Sequence, residues 1–150
     1  MPRSRLLRLL RLPRGEAAGL LRAQAMLLRA QLLLWTRPQG RLLETRAAVS
    51  ADAAAPPAAD AARALRLADD VERAARGGLF RPTCLVRALA LHELLEASRL
   101  PGSRIRIGVR WGGGGFEAHA WVEHGGRVLG DREANVGAYA ELGQARLAPR

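Results

Sequence analysis

A chain of 150 residues carries one domain's worth of sequence, and with 49% hydrophobic residues it can bury a core, which excludes a disordered protein. Its single cysteine rules out an internal disulfide framework and every multi-cysteine zinc motif. The formal charge of +10 is carried by arginine without lysine; the arginines are scattered and aromatics make up 4%, so no nucleic-acid partner is expected and an acidic peptide or protein suits the charge better.

Residues 4–35 are rich in leucine and arginine at helical spacing: Leu6, Leu9 and Leu10, then Leu21, Ala25, Leu28, Leu32 and Trp35. Pro13 and Gly15 divide this stretch into a short basic piece and a longer helix. The run Thr36-Arg37-Pro38-Gln39-Gly40 ends that helix, residues 41–49 allow another turn or two, and Ala53 to Ala58 reads as a connector. Asp60 is positioned to cap a helix over 61–76, with Leu65, Ala68 and Val71 on one face and Gly77-Gly78 as its stop. A further helix begins at Cys84 and runs to about Ser98; Leu85, Ala88, Leu89, Leu91 and Leu95 make it a packed helix.

After Ser103 the period changes from helix to strand. Residues 104–111 alternate strictly, Gly112 to Gly115 form a loop, and residues 116–123 and 127–131 read as a hairpin closed around His124-Gly125-Gly126. Residues 134–150 show little periodicity and receive no assignment. The expected architecture is α+β, with N-terminal helices followed by an antiparallel sheet. Residues 1–50 form a helical segment that packs on or extends the core, and residues 51–150 form the catalytic core of one overall domain.

The chemistry lies in the order Cys84, His119, Asp131. A thiol at a helix N-terminus meets the positive end of the helix dipole, which favours thiolate. A three-residue turn over 124–126 would pair Glu123 with Arg127 and set His119 directly opposite Asp131, within imidazole–carboxylate reach. A two-residue turn would instead pair His119 with Arg132 and move Asp131 to the other face. In the first geometry Cys84 is the nucleophile, His119 the base and Asp131 the orienter, with the Cys84 N–H as an oxyanion donor. Trp111 is a weaker candidate for the second donor.

Set singly, each residue has a plainer reading: a packed core thiol, a satisfied histidine, a turn aspartate. His92 lies about 12 Å of helix rise from Cys84, too far to deprotonate it. His124 falls in the expected turn, facing solvent. Cys84, His119 and His124 have no metal-ligand spacing, so neither metal nor cofactor is expected.

The segments C-L-V-R-A-L-A-L-H-E-L-L, I-G-V-R-W, F-E-A-H-A-W-V-E and V-L-G-D, between Gly78 and Asp131, resemble the transglutaminase-like leader peptidases of lasso-peptide biosynthesis. The resemblance implies a papain/transglutaminase-type core with Cys84, His119 and Asp131 at its catalytic positions. It implies a ribosomally made precursor as substrate, whose leader is removed before a separate ATP-dependent cyclase closes the macrolactam. The helical N-terminus resembles the split form of the enzyme, which implies a separate leader-recognition protein as partner.

The N-terminal leucines suit packing onto the core. An exposed face docking a partner is the alternative, and Arg3, Arg5, Arg8, Arg11 and Arg14 allow weak contact with an anionic membrane surface. No secretory signal and no apolar run of roughly 20 residues is present, so the expected location is the cytoplasm, with the inner membrane surface as a peripheral site. Two rivals remain: another Cys-dependent acyl transfer on the same scaffold, and a non-enzymatic arginine-rich interaction module with a structural cysteine.

Overall fold

The computed structural model describes residues 13–36, 56–112 and 114–141. The expected basic piece before Pro13, the break after Thr36, the turns over 41–49 and part of the connector that follows lie outside them. Helix α1 (Arg14–Thr36) is followed by α2 (Ala58–Gly77) and α3 (Cys84–Ala97). Strands β1 (Ser103–Gly112), β2 (Gly115–His124) and β3 (Arg127–Leu129), a one-turn helix α4 (Glu133–Val136) and strand β4 (Ala140–Glu141) complete the chain. The four strands form a sheet of order β3-β2-β1-β4, with every neighbouring pair antiparallel. The α+β arrangement is the one the sequence indicates.

Helix α3 is the centre of the molecule. Thr83 caps it, its hydroxyl accepting from the Val86 N–H at 3.4 Å, which fixes Cys84 as the first helical residue. Apolar residues all round the helix explain its position: one side lies on β1 and β2, and the others receive α1 and α2. Val86, Leu89, Leu94 and Leu95 are fully buried. Buried Glu93 is matched by Arg29 of α1 at 3.0 Å, so the one buried carboxylate of this helix has a counter-charge.

The face of α1 that meets this core is not the leucine stripe. Ala23, Leu27 and Ala30 are buried, whereas Leu21, Leu28, Leu32 and Trp35 are 67%, 39%, 56% and 75% exposed. Ala23 and Ala30 let the α1 backbone approach its neighbours closely on either side of Leu27, while Leu21, Leu28 and Leu32 lie on the far side. In α2, likewise, Ala64, Ala68, Val71, Ala74 and Ala75 are buried and Leu65 is largely exposed. Asp60 does not cap that helix. The helix begins at Ala58, three residues before the start expected at 61, and Pro57 precedes its first turn, its carbonyl accepting from Ala61 N–H at 3.0 Å. Asp60 sits in the first turn, where its charge suits the helix dipole.

The hairpin register differs from the three-residue turn. Observed pairs are Val122↔Leu129, Glu123↔Val128 and His124↔Arg127, which leaves a two-residue turn of Gly125 and Gly126. Both have positive φ, +58° and +75°, as a type I′ turn requires, and glycine adopts this conformation without strain. His124 is therefore the last residue of β2. It is buried and its Nε2 meets the Pro101 carbonyl at 3.1 Å, instead of facing solvent from a turn.

Candidate active site

Cys84 lines a small cleft with Glu72, Arg87, Leu129, Gly130 and Asp131 among its walls, enclosing about 260 Å³ including space open to solvent. The thiol is half-buried at the start of α3. Thr83 satisfies two first-turn donors: its hydroxyl takes Val86 N–H and its carbonyl takes Arg87 N–H at 3.0 Å. The Cys84 and Leu85 N–H groups precede the first intrahelical bonds and are the donors a helix start leaves for a ligand.

His119 and Asp131 are joined, although not by the expected direct pairing. Strand β3 stops at Leu129, and Gly130, with φ +73°, turns the chain so that Asp131 comes back to β2. His119 Nε2–H then donates to Asp131 Oδ2. The second carboxylate oxygen, Oδ1, accepts from Arg132 N–H at 2.7 Å and from Asn135 Nδ2 at 3.0 Å. Burial alone would raise the Asp131 pKa, but the hydrogen bonds from His119, Asn135 and the Arg132 backbone outweigh it and hold the carboxyl below its ordinary value. An ionised carboxylate only accepts, so it selects the Nε2–H tautomer and leaves the Nδ1 lone pair to take a proton.

The imidazole is held from both sides. Its ring lies 6.2 Å from that of Trp121, nearly parallel, and 5.1 Å from that of Tyr139. Arg110 covers the Tyr139 ring at 4.6 Å and bonds Glu117 at 2.7 Å. Residues 139–141 thus act as a strap over this face; the sequence hides them because a four-residue helix and a two-residue strand are too short to show a period.

Strand alternation divides the site. Ala120 and Val122 face α3, so His119 and Trp121 stand on the other face of β2. Asp131 belongs to both regions, lining the cleft beside Cys84 and bonding His119. Among the described residues no hydrogen bond joins Cys84 to His119, so the structure brings together the His–Asp pair and places Asp131 and the thiol in one cleft. Trp111 lies at the far end of β1, 81% exposed, outside the cleft lining. His92 Nδ1 bonds the Ser103 hydroxyl at 2.7 Å near the other end of α3.

Two cleft residues escaped the sequence reading. Arg87, three positions after Cys84, occupies the same side of α3, and its Nη1 lies 3.1 and 3.3 Å from the two oxygens of Glu72. Burial pushes the Glu72 carboxyl up; Asp131 and Asp69 add to this, while Arg87 and Arg76 oppose it. The helical spacing from Cys84 is a signal for Arg87, whereas nothing local marks Glu72. Among the described residues no group of three or more His, Cys, Asp or Glu side chains could hold a metal, and no helix is long and apolar enough to cross a membrane.

Gly130 controls the placement of Asp131. A Cβ there would sit 3.3 Å from Leu91 Cδ2 in a backbone conformation that L-residues avoid. Gly130→Ala is expected to cost about 1 kcal/mol of stability and to lower turnover by displacing the carboxylate. Gly126→Ala meets equal backbone strain in open space away from the site. It should lose similar stability in urea titration while keeping its turnover rate.

A helix-initiating cysteine packed on an antiparallel sheet that carries a histidine bound to aspartate is the arrangement of a transglutaminase-like thiol scaffold. The profile of the transglutaminase-like superfamily matches residues 26–144, and the chain belongs to that family. Membership supports cysteine-dependent peptidase or acyl-transfer chemistry. No curated protein and no solved structure matches the chain.

Proposed function

We propose that the protein is a cysteine peptidase that removes the leader from a ribosomally made lasso-peptide precursor, in concert with a separate recognition protein and a macrolactam-forming cyclase. The observation carrying the peptidase reading is the shared position of Asp131, which lines the Cys84 cleft and fixes the His119 tautomer. The lasso precursor and both protein partners come from the resemblance of the segments between Gly78 and Asp131.

Cys84 Sγ attacks the scissile carbonyl and its proton passes to His119 Nδ1. The Cys84 and Leu85 N–H groups receive the oxyanion. Collapse breaks the C–N bond, and the proton on Nδ1 leaves with the amine of the core peptide. Water, deprotonated by the same nitrogen, then hydrolyses the thioester and releases the leader acid. Asp131 stays ionised throughout and orients the imidazole. Substrate binding must bring the thiol and Nδ1 together across the edge of β2, since apo geometries of such pairs are commonly open.

The test is mass spectrometry of a lasso precursor incubated with this protein, with and without a leader-recognition protein that binds the same precursor. A single cut at the leader–core junction, adding one water and faster with the partner, is expected. A product bearing an amine in place of water would turn the reading to acyl transfer, and an intact precursor would defeat it.

A further inference from the structure

The β1–β2 hairpin is longer than the helix that covers it. Its pairing runs without a bulge from Ser103↔His124 to Gly112↔Gly115, so alternation is unbroken from end to end. Toward α3 point Ile105, Ile107, Val109 and Trp111 from β1, paired with Val122, Ala120, Ala118 and Phe116 from β2. The C-terminal part of α3 is fixed near the start of β1 by the His92–Ser103 bond. The helix has 14 residues and each strand has 10. From the His92–Ser103 anchor the helix rises about 12 Å back to Cys84 while β1 runs about 30 Å to Gly112, so the hairpin outruns the Cys84 end of α3 by about 18 Å.

Both faces of that overhang are open, and the one it shares with Cys84 is apolar. Trp111 and Phe116 are 81% and 60% exposed on the face shared with Cys84, their rings packed edge to face at 5.8 Å. On the reverse face Arg110 is paired with Glu117 and laid over Tyr139. Two large aromatics left bare beside a cleft normally mark a contact surface. They are also continuous with the cleft: Ala120 lines it beside Cys84, and Ala118 and Phe116 follow on the same face of β2. Four strand residues from Ala120 to Phe116 cover about 13 Å, the reach of two to four residues of an extended peptide.

We infer that Trp111 and Phe116 form a shelf that receives an aromatic or large aliphatic side chain of the substrate peptide, two to four residues from the bond presented to Cys84. This assignment rests on the peptidase reading and names a selectivity that reading does not contain. The shelf contributes to substrate binding and leaves the chemical step to Cys84 and His119.

The test uses the parent protein, Trp111→Ser, Phe116→Ser, and each of these in a Cys84→Ala background. Because both aromatics are exposed, the serine variants should keep the parent's circular dichroism and melting midpoint. A randomised decapeptide library is captured on the immobilised Cys84→Ala proteins and, separately, cut by the Cys84 proteins, with both outputs sequenced by mass spectrometry. Capture should enrich Trp, Phe and Leu, and cut sites should align with such a residue two to four positions away. Either serine change should abolish the enrichment and raise KM about tenfold with kcat unchanged. Apolar capture without cutting would overturn the peptidase reading and leave the shelf standing. Cutting without apolar preference, or with a preference the serine variants keep, would overturn the shelf and leave the peptidase. Neither capture nor cutting would overturn both, and a parent dimer dispersed by Trp111→Ser in sedimentation would assign the surface to a second copy instead.

Discussion

Cys84→Ala is expected to fold as the parent does and to lose at least about a thousandfold in turnover, because nothing else in the cleft can form the thioester. The thiol is half-buried at a helix end. Its removal should therefore cost about 1 kcal/mol or less, and alanine is the best helix former available at that position. The two readouts are product formation by mass spectrometry and the urea midpoint of the same preparation. Product formation equal to the parent's, in a folded variant, would make Cys84 a structural thiol and defeat the cysteine-peptidase reading.

Asp131→Asn should retain the outline of the site and lose about a hundred- to ten-thousandfold in turnover. The amide can donate as well as accept, so it no longer selects the Nε2–H tautomer, and it cannot offset charge on the imidazole. The substitution also changes the response to acid. Asp131 is held below its ordinary value of 3.8, so its contribution to stability is fully present above that value and is lost as pH falls through the lower folded value. Parent and variant should differ by a constant unfolding free energy above about pH 5, and the difference should shrink below about pH 4. Urea titrations at pH 7, 5 and 3 measure it. A difference that grows on acidification would mean that Asp131 is not ionised against His119.

The parts of the site that were legible in the sequence are those governed by local rules. The apolar helical spacing that begins at Cys84 marks where α3 starts, and strict alternation marks β1. The hairpin turn was misread because His124 looks like turn chemistry, while its side chain is in fact taken up by the Pro101 carbonyl. The His119–Asp131 bond survived that error only because Gly130 reverses the chain after Leu129, a tertiary device with no periodicity to reveal it. The face of α1 is unreadable for another reason: leucines and alanines occur on both sides of the helix, Leu27 buried with Ala23 and Ala30 while Leu21 and Leu28 are exposed, and only packing against α2 and α3 decides which side is buried. The division of Cys84 and His119 between the two faces of β2 follows from packing, which chain order does not encode.

Strand β3 contributes three ladder pairs, all of them before Gly130. Asp131 thus lies between two sheet attachments, β3 before it and β4 after it, and is itself held to β2 by its side chain. Its mooring can release as a local event of low free energy while the helices and the β1–β2 ladder persist. With Asp131 as the proposed orienter, loss of turnover is expected to precede loss of the native circular dichroism as acid or heat is applied.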